Sequence, residues 1–181
     1  MHTLPASDIV PGPDGLRYIL FSDTDTRGIS QCIRNQGTYE VNMQVIATAL
    51  LNVRPPSGRV VDIGSNLGSF TIPLAHAFRT HQFDCFEVQR PIYYQLCGNI
   101  VLNRLANVVA HQVGLGRSAG EIEVALPRYE DDINLGSFSL NAACRESVRG
   151  GNFEGEKVKI KLINLDSLRS EERRVGKECR L

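Results

Sequence analysis

An α/β fold with a parallel sheet is the class this sequence predicts, and three observations predict it. Val60, Val61 and Ile63 form a short apolar run, the mark of a strand buried on both faces. The run ends at Gly64, and Phe70, Leu74, Ala77 and Phe78 then recur at helical spacing. The same order of strand and helix repeats downstream, which is how parallel neighbours are connected.

Taken in order, Pro11-Gly12-Pro13-Asp14-Gly15 is a turn cluster, and Leu16 to Phe21 is rich in β-forming residues. Ile29 to Asn35 fits a short helix. Gly37-Thr38-Tyr39-Glu40 opens a longer one, with Thr38 as candidate cap and Val41, Val45, Ile46, Ala49 and Leu50 on its apolar face. Pro55-Pro56-Ser57-Gly58 breaks the chain before the strand at Val60–Ile63, expected at the sheet centre. Pro73 falls in the first turn of the next helix, where its missing N–H is no loss. Phe83, Cys85 and Phe86 suit a second strand. Pro91 starts a helix to about Leu105, with Tyr94, Cys97, Val101 and Leu105 aligned, and Asn107 stops it. Val108 to Val113 is a third strand, stepping away on the same side. Helices are expected on both faces. Glu121 to Leu126 alternates acidic and apolar residues like an exposed strand, and Val158, Ile160, Leu162 and Ile163 form another.

The glycine turn carries the chemistry. A strand, a tight turn and a helix bring a ligand close to the backbone and aim helix N–H groups at it. A dinucleotide turn wants glycine at its first, third and sixth positions, but here these are Gly64, Asn66 and Ser69. Gly64 and Gly68 are four apart instead. Asp62 precedes the turn, where a carboxylate repels a pyrophosphate and suits a cationic ligand. Glu87 lies 23 residues beyond Gly64, at the end of the second strand. An acid there can accept from both hydroxyls of a ribose. The loop Gly114-Leu115-Gly116 is expected beside the base. His111, His76 and His81 read as structural residues, because no partner acid or nucleophile is placed beside them by sequence. The acidic run Tyr129-Glu130-Asp131-Asp132 reads as a solvated loop rather than a metal site.

These features resemble Rossmann-like methyltransferases, and in order they resemble the FkbM type. The resembling segments are Gly37-Thr38-Tyr39-Glu40, Val61 to Thr71, Phe86-Glu87, Asn99 to Asn103, Asn107-Val108 and Leu165-Asp166-Ser167-Leu168. Val88-Gln89 departs from the family, which usually has proline and a polar residue there. The resemblance implies a three-layer α/β/α sandwich, incomplete in the C-terminal half of its sheet. It also implies S-adenosyl-L-methionine as cofactor, held by Tyr39, Glu40, Asp62, Gly64, Ser65, Asn66, Gly68, Phe70, Glu87, Val113 and Gly114. The implied reaction is O-methylation of a small molecule or sugar hydroxyl, with no metal and no named catalytic base. The alternatives are a truncated fragment that binds cofactor without catalysis and an NAD-type oxidoreductase.

Residues 1–36 are expected to form an N-terminal strand and loop extension, and 37–168 the cofactor-binding domain. Arg169 to Leu181 lacks apolar periodicity and resembles the translation of a common sequencing adaptor, a non-native tail. The family's next strand and its acidic, glycine-containing motif find no match there. Equal numbers of basic and acidic residues argue against a nucleic-acid partner. No apolar run reaches membrane-spanning length. Met1 to Val10 lacks the basic start and apolar block of a secretory signal. Five scattered cysteines without C-x-x-C spacing fit reduced thiols in the cytoplasm. Deleting 169–181 is expected to leave the melting temperature unchanged. A loss above about 1 kcal/mol in thermal unfolding, a typical single-site effect, would make the tail part of the fold.

Overall fold

The computed structural model describes residues 4–129, 134–140 and 155–166. Glu130–Asp132, the glycine break at Gly150-Gly151 and the tail at 169–181 lie outside the described residues.

The chain opens with a hairpin of β1 (Ser7–Pro11) and β2 (Arg17–Phe21), followed by α1 (Ile29–Gln36) and α2 (Val41–Asn52). Then come β3 (Arg59–Ile63), α3 (Thr71–Ala77), β4 (Gln82–Phe86), α4 (Arg90–Leu102) and β5 (Val108–His111). These three strands pair in parallel in the order β3-β4-β5, with Arg59 opposite Gln82 and Phe83 opposite Val108. This is the expected α/β, Rossmann-like arrangement: each helix returns the chain to the start of the next strand. A second sheet holds β6 (Gly114–Leu115), β7 (Gly120–Ala125) and β8 (Lys157–Ile163), ordered β6-β8-β7. Here β8 runs parallel to β6 and antiparallel to β7.

One face of the parallel sheet is the core. Val60, Phe83, Cys85, Val108 and Ala110 pack there against residues from all four helices, including Ile33, Leu51, Ile72, Leu74 and Leu96. Leu16, Tyr18 and Leu20 of the hairpin segment join the same cluster. The opposite face corrects the expectation that β3 is buried on both faces, while its unpaired edge is what a sheet incomplete in its C-terminal half leaves. Among the described residues β3 is an edge strand, and Val61, Ile63 and Val109 are exposed, Ile63 by 61%. Period-two alternation places these three on the face away from the helices. Only Asp84 and Phe86 are buried on that face. Asp84 is bound by Arg59 and by His111 Nε2 at 2.7 Å, and the His111 ring stacks on Phe86. Burial pushes the Asp84 carboxyl up, but its bonds to Arg59 and His111 outweigh this and hold it below its ordinary value. His111 therefore has a partner acid that the sequence reading did not find.

Two helix faces also differ from expectation. In α2 the residues expected on the buried face, Val41, Val45, Ile46 and Leu50, are exposed, and Ala47 and Leu51 pack inward instead. So many apolar residues surround this helix that periodicity did not single out the buried stripe. Glu40, with φ +51, is its N-cap and makes no side-chain cap; Thr38 instead accepts from Gln44. In α4, Tyr94 and Val101 are exposed, whereas Ile92, Gln95, Leu96 and Asn99 are buried.

The buried amides of α4 have a reason to be there. The Asn103 side chain accepts from Arg17 N–H at 2.9 Å and donates to Arg17 C=O at 2.7 Å. Asn99 accepts from Ile19 N–H at 2.6 Å, and Gln95 donates to Ile19 C=O at 2.7 Å. Three side chains on one stripe of α4 and its C-cap thus satisfy the strand edge that β1 leaves free, and at Ile19, where the bonds are part-buried, the backbone requires such partners. Asn99 also donates to Leu67 C=O at 2.9 Å, so it connects the hairpin to the glycine turn. Asn99→Leu leaves Ile19 N–H and Leu67 C=O buried without that partner, at about 1–3 kcal/mol each. Chemical denaturation should show a clearly larger loss for Asn99→Leu than for Asn103→Leu, whose bonds are exposed. Equal losses would mean that the ladder is incidental to the fold.

Candidate cofactor-binding site

The site grows from the end of β3. Gly64 takes φ +76 and Gly68 φ +91, left-handed conformations that favour glycine. A Cβ on Gly64 would meet nothing within 4 Å, so the backbone is open to a ligand there. A Cβ on Gly68 would lie 2.8 Å from Ile72 and 2.9 Å from Leu96, so this glycine lets the turn sit down on the core. Ser65 fastens the turn to both strands: its hydroxyl accepts from Phe86 N–H at 3.0 Å and donates to Asp62 C=O at 2.8 Å. Gly64 and Ser65 N–H both donate to Phe86 C=O.

Glu87 follows β4 directly and is 5% exposed. Its carboxylate accepts from Asn66 N–H at 3.1 Å and from Gln89 N–H at 2.8 Å. Desolvation pushes its pKa up, opposed by the N–H groups of Gln89, Asn66 and Val88; the charge of Asp62 adds to the rise. A carboxylate has about four acceptor positions, so capacity remains for a ligand. Asp62 is raised as well, first by burial, with the charge of Glu40 adding; hydrogen bonds from Thr71 and Ser65 oppose this. The Thr71 hydroxyl donates to Asp62 at 2.6 Å.

A cavity of about 310 Å³ opens beside the turn. Gly64, Asn66, Glu87, Val113 and Gly114 line it, and so do Val88, Gln89, Ile29 and the stretch Leu135–Leu140 apart from Ser137. The other six predicted residues do not. Ser65 and Gly68 build the turn, Phe70 packs on the core ahead of α3, and Asp62 is bound to Thr71. Tyr39 and Glu40 lie at the start of α2, where Tyr39 packs against the core and Glu40 bears electrostatically on Asp62. The arrangement is therefore an acid-lined turn with two sides: a cavity holding Glu87, and a second acidic side formed by Asp62 and Glu40.

Sequence reasoning missed Gln89 and the loop after Asn134. Gln89 donates to Leu135 C=O at 3.2 Å and receives Tyr129 O–H at 3.5 Å. Burial, aided by the charge of Glu87, raises the Tyr129 pKa. Only the break from the family pattern at Val88-Gln89 marked this position in the sequence. Among the described residues no cluster of three metal-ligating side chains exists, and no helix is long and apolar enough to cross a membrane.

No protein-family model and no curated protein matches the chain. Among solved structures it is similar to TYW2 of M. jannaschii in complex with AdoMet, at 24% identity and a TM-score of 0.42, over 61% of this chain and 44% of that one. It is similar to TYW2 of P. horikoshii in complex with MeSAdo, at 18% identity and a TM-score of 0.45, over 60% and 36%. Trm5b of Pyrococcus abyssi aligns at 16% identity with a TM-score of 0.40, over 64% and 32%. The chain spans less than half the length of each of these structures.

The raised Glu87 pKa sets a pH dependence. An ionised carboxylate accepts from hydroxyl donors such as those of a ribose, and protonation would use one of its acceptor positions. A hydroxyl-bearing ligand at Glu87 would favour the ionised form, so its affinity would fall as pH drops through the raised pKa. The folded chain alone has the opposite slope from this group: it holds the proton more tightly than the unfolded chain, so stability declines as pH rises through the same window. Calorimetric titration with S-adenosylhomocysteine from acidic to neutral pH should show rising affinity. Glu87→Gln should remove the part of the slope that Asp62 does not supply.

Proposed function

We propose that the chain is an S-adenosylmethionine-dependent methyltransferase of the FkbM type, methylating an oxygen of a small molecule or sugar. The observation that carries this reading is the buried Glu87 carboxylate, which is fixed by backbone N–H groups and faces a cavity beside an open glycine turn. The donor set fits the cofactor. Glu87 suits a ribose diol, the apolar slot at Val88, Val113 and Gly114 suits a base, and the acidic pair Asp62 and Glu40 suits a cationic amino-acid end. S-adenosylmethionine supplies an electrophilic methyl group, which an acceptor oxygen takes by in-line displacement.

The chain's own part is binding and orientation, worth about 7–11 kcal/mol of barrier in favourable cases. Glu87 fixes the ribose, and the Gly64 backbone lets the ligand approach. Asp62, held by Thr71, sets the electrostatics next to the turn. An NAD-type reading fits less well, because Asp62 and Glu40 beside the turn would oppose a pyrophosphate and Asn66 and Ser69 occupy glycine positions. Cys32, Cys85 and Cys97 are free thiols, which fits a cytoplasmic protein.

The test is titration with S-adenosylhomocysteine, its 2′,3′-dideoxy analogue and NAD. S-adenosylhomocysteine should bind and NAD should not. Glu87→Ala should weaken S-adenosylhomocysteine about ten- to two-hundredfold, the loss of charge-assisted hydrogen bonds. It should weaken the dideoxy analogue much less, because that ligand lacks the hydroxyls and feels only the loss of the Asn66 and Gln89 N–H bonds to the carboxylate. Equal weakening of both would mean that Glu87 acts on the fold. No weakening of either would remove it from the site.

A further inference from the structure

The stretch Asn134–Leu140 contributes Leu135, Gly136, Phe138, Ser139 and Leu140 to the lining of the cavity that holds Glu87. It is held from two directions. Gln89, next to the ribose acid, donates to Leu135 C=O at 3.2 Å. From the other side Leu135 N–H donates to Asp25 Oδ1 at 2.8 Å, although 110 residues separate the two. The second oxygen, Asp25 Oδ2, accepts from the Ser30 hydroxyl at 2.7 Å. Asp25 is 2% exposed and Ser30 is fully buried. Asp25 also takes φ +52, an unusual conformation outside glycine that aspartate tolerates better than most residues. Buried carboxylates need partners for their acceptor positions, and one partner of this carboxylate is a backbone N–H of the cavity wall.

The two segments are also pressed together. A Cβ on Gly28 would lie 2.7 Å from Asn134 Oδ1, and one on Gly136 would lie 3.0 Å from Ile29 Cδ1. Glycine at both positions permits this approach. The wall then presents Leu135, Phe138 and Leu140 to the cavity, with Ile29 beside them. Leu140 also reaches the floor, since a Cβ on Gly114 would meet it at 3.0 Å and Val88 at 3.4 Å. Apolar walls on two sides of a slot are what a flat nucleobase requires.

We propose that Asp25 is a positioning residue for the cofactor: its carboxylate holds Asn134–Leu140 as an apolar wall of the cavity that Glu87 also lines, so that the N-terminal segment sets nucleoside affinity. This rests on the methyltransferase reading above. The hydrogen-bond chain runs Ser30, Asp25, Leu135, Gln89, Glu87, from the start of α1 to the ribose acid.

The experiment uses the whole chain as wild type, Asp25→Ala, Asp25→Asn and Phe138→Ala. S-adenosylhomocysteine affinity is measured by calorimetry, and backbone amide exchange by mass spectrometry. Asp25→Ala should weaken the ligand about tenfold, equivalent to about 1.4 kcal/mol. It should speed exchange across 134–140 while β3, β4 and β5 exchange as in wild type. Asp25→Asn keeps an acceptor for Leu135 N–H and should recover most of the affinity. Phe138→Ala should weaken the ligand severalfold without changing exchange at Leu135, which keeps the idea testable if Asp25→Ala does not fold. Wild-type affinity in both alanine variants would overturn the inference. Faster exchange spread through β3–β5 would also overturn it, because Asp25 would then serve the fold at large. A wild type that does not bind S-adenosylhomocysteine would instead overturn the methyltransferase reading.

Discussion

The hydrogen bond from Asn66 N–H to the Glu87 carboxylate is the contact on which the site depends. It joins the turn after β3 to the residue after β4, and so fixes the gap between two parallel strands at the end where ligands bind in open α/β sheets. The cost is a buried negative charge whose pKa is driven upward. Backbone N–H groups offset part of that cost without neutralising the carboxylate, so the charge stays available for hydroxyl donors. A lysine or arginine in the same place would hold the charge more firmly and leave less of it for a ligand. Ser65 reinforces the junction, since its one hydroxyl bonds to the backbone of both strands.

Much of the fold was legible because it depends on local order. The apolar run at Val60–Ile63, the glycines after it and the recurrence of strand and helix point together to a parallel sheet. Gly64 and Glu87 were legible for the same reason: their spacing encodes the β3–α3–β4 unit itself. The sidedness of the helices was not. In α2 apolar residues occur nearly all round, so no stripe stands out. In α4 the buried stripe includes Gln95 and Asn99, and their polarity sent the reading to Tyr94 and Val101 instead. The partner of Asn99 is a strand edge eighty residues away. Nothing local could reveal it.

The same limit explains the apolar wall of the cavity. Asp25 and Leu135 meet only through the tertiary fold, and Asn134–Leu140 read as small polar loop residues. Asp84 and His111 sit on adjacent parallel strands, where neighbours in space are far apart in sequence. Parallel sheets hide their side-chain pairs in this way, and a sequence reader sees the spacing of the strands before the chemistry between them.

The amide ladder between α4 and β2 is a match of two rulers. Four residues of helix advance about 6.0 Å, and two residues of strand about 6.6–6.8 Å. From Asn103 to Asn99 the helix takes one such step while the strand goes from Arg17 to Ile19, and the mismatch is below 1 Å. Another full step would roughly double it. The third rung is Gln95, one methylene longer than asparagine, and it reaches back to Ile19 rather than onward to Phe21. At the next position Phe21 C=O already accepts from Arg34 Nη2 at 2.9 Å, and the ladder stops there. A hairpin displaced by two residues along α4 would find the wrong side-chain length at one end, so the helix acts as a gauge that admits a single register of the strand.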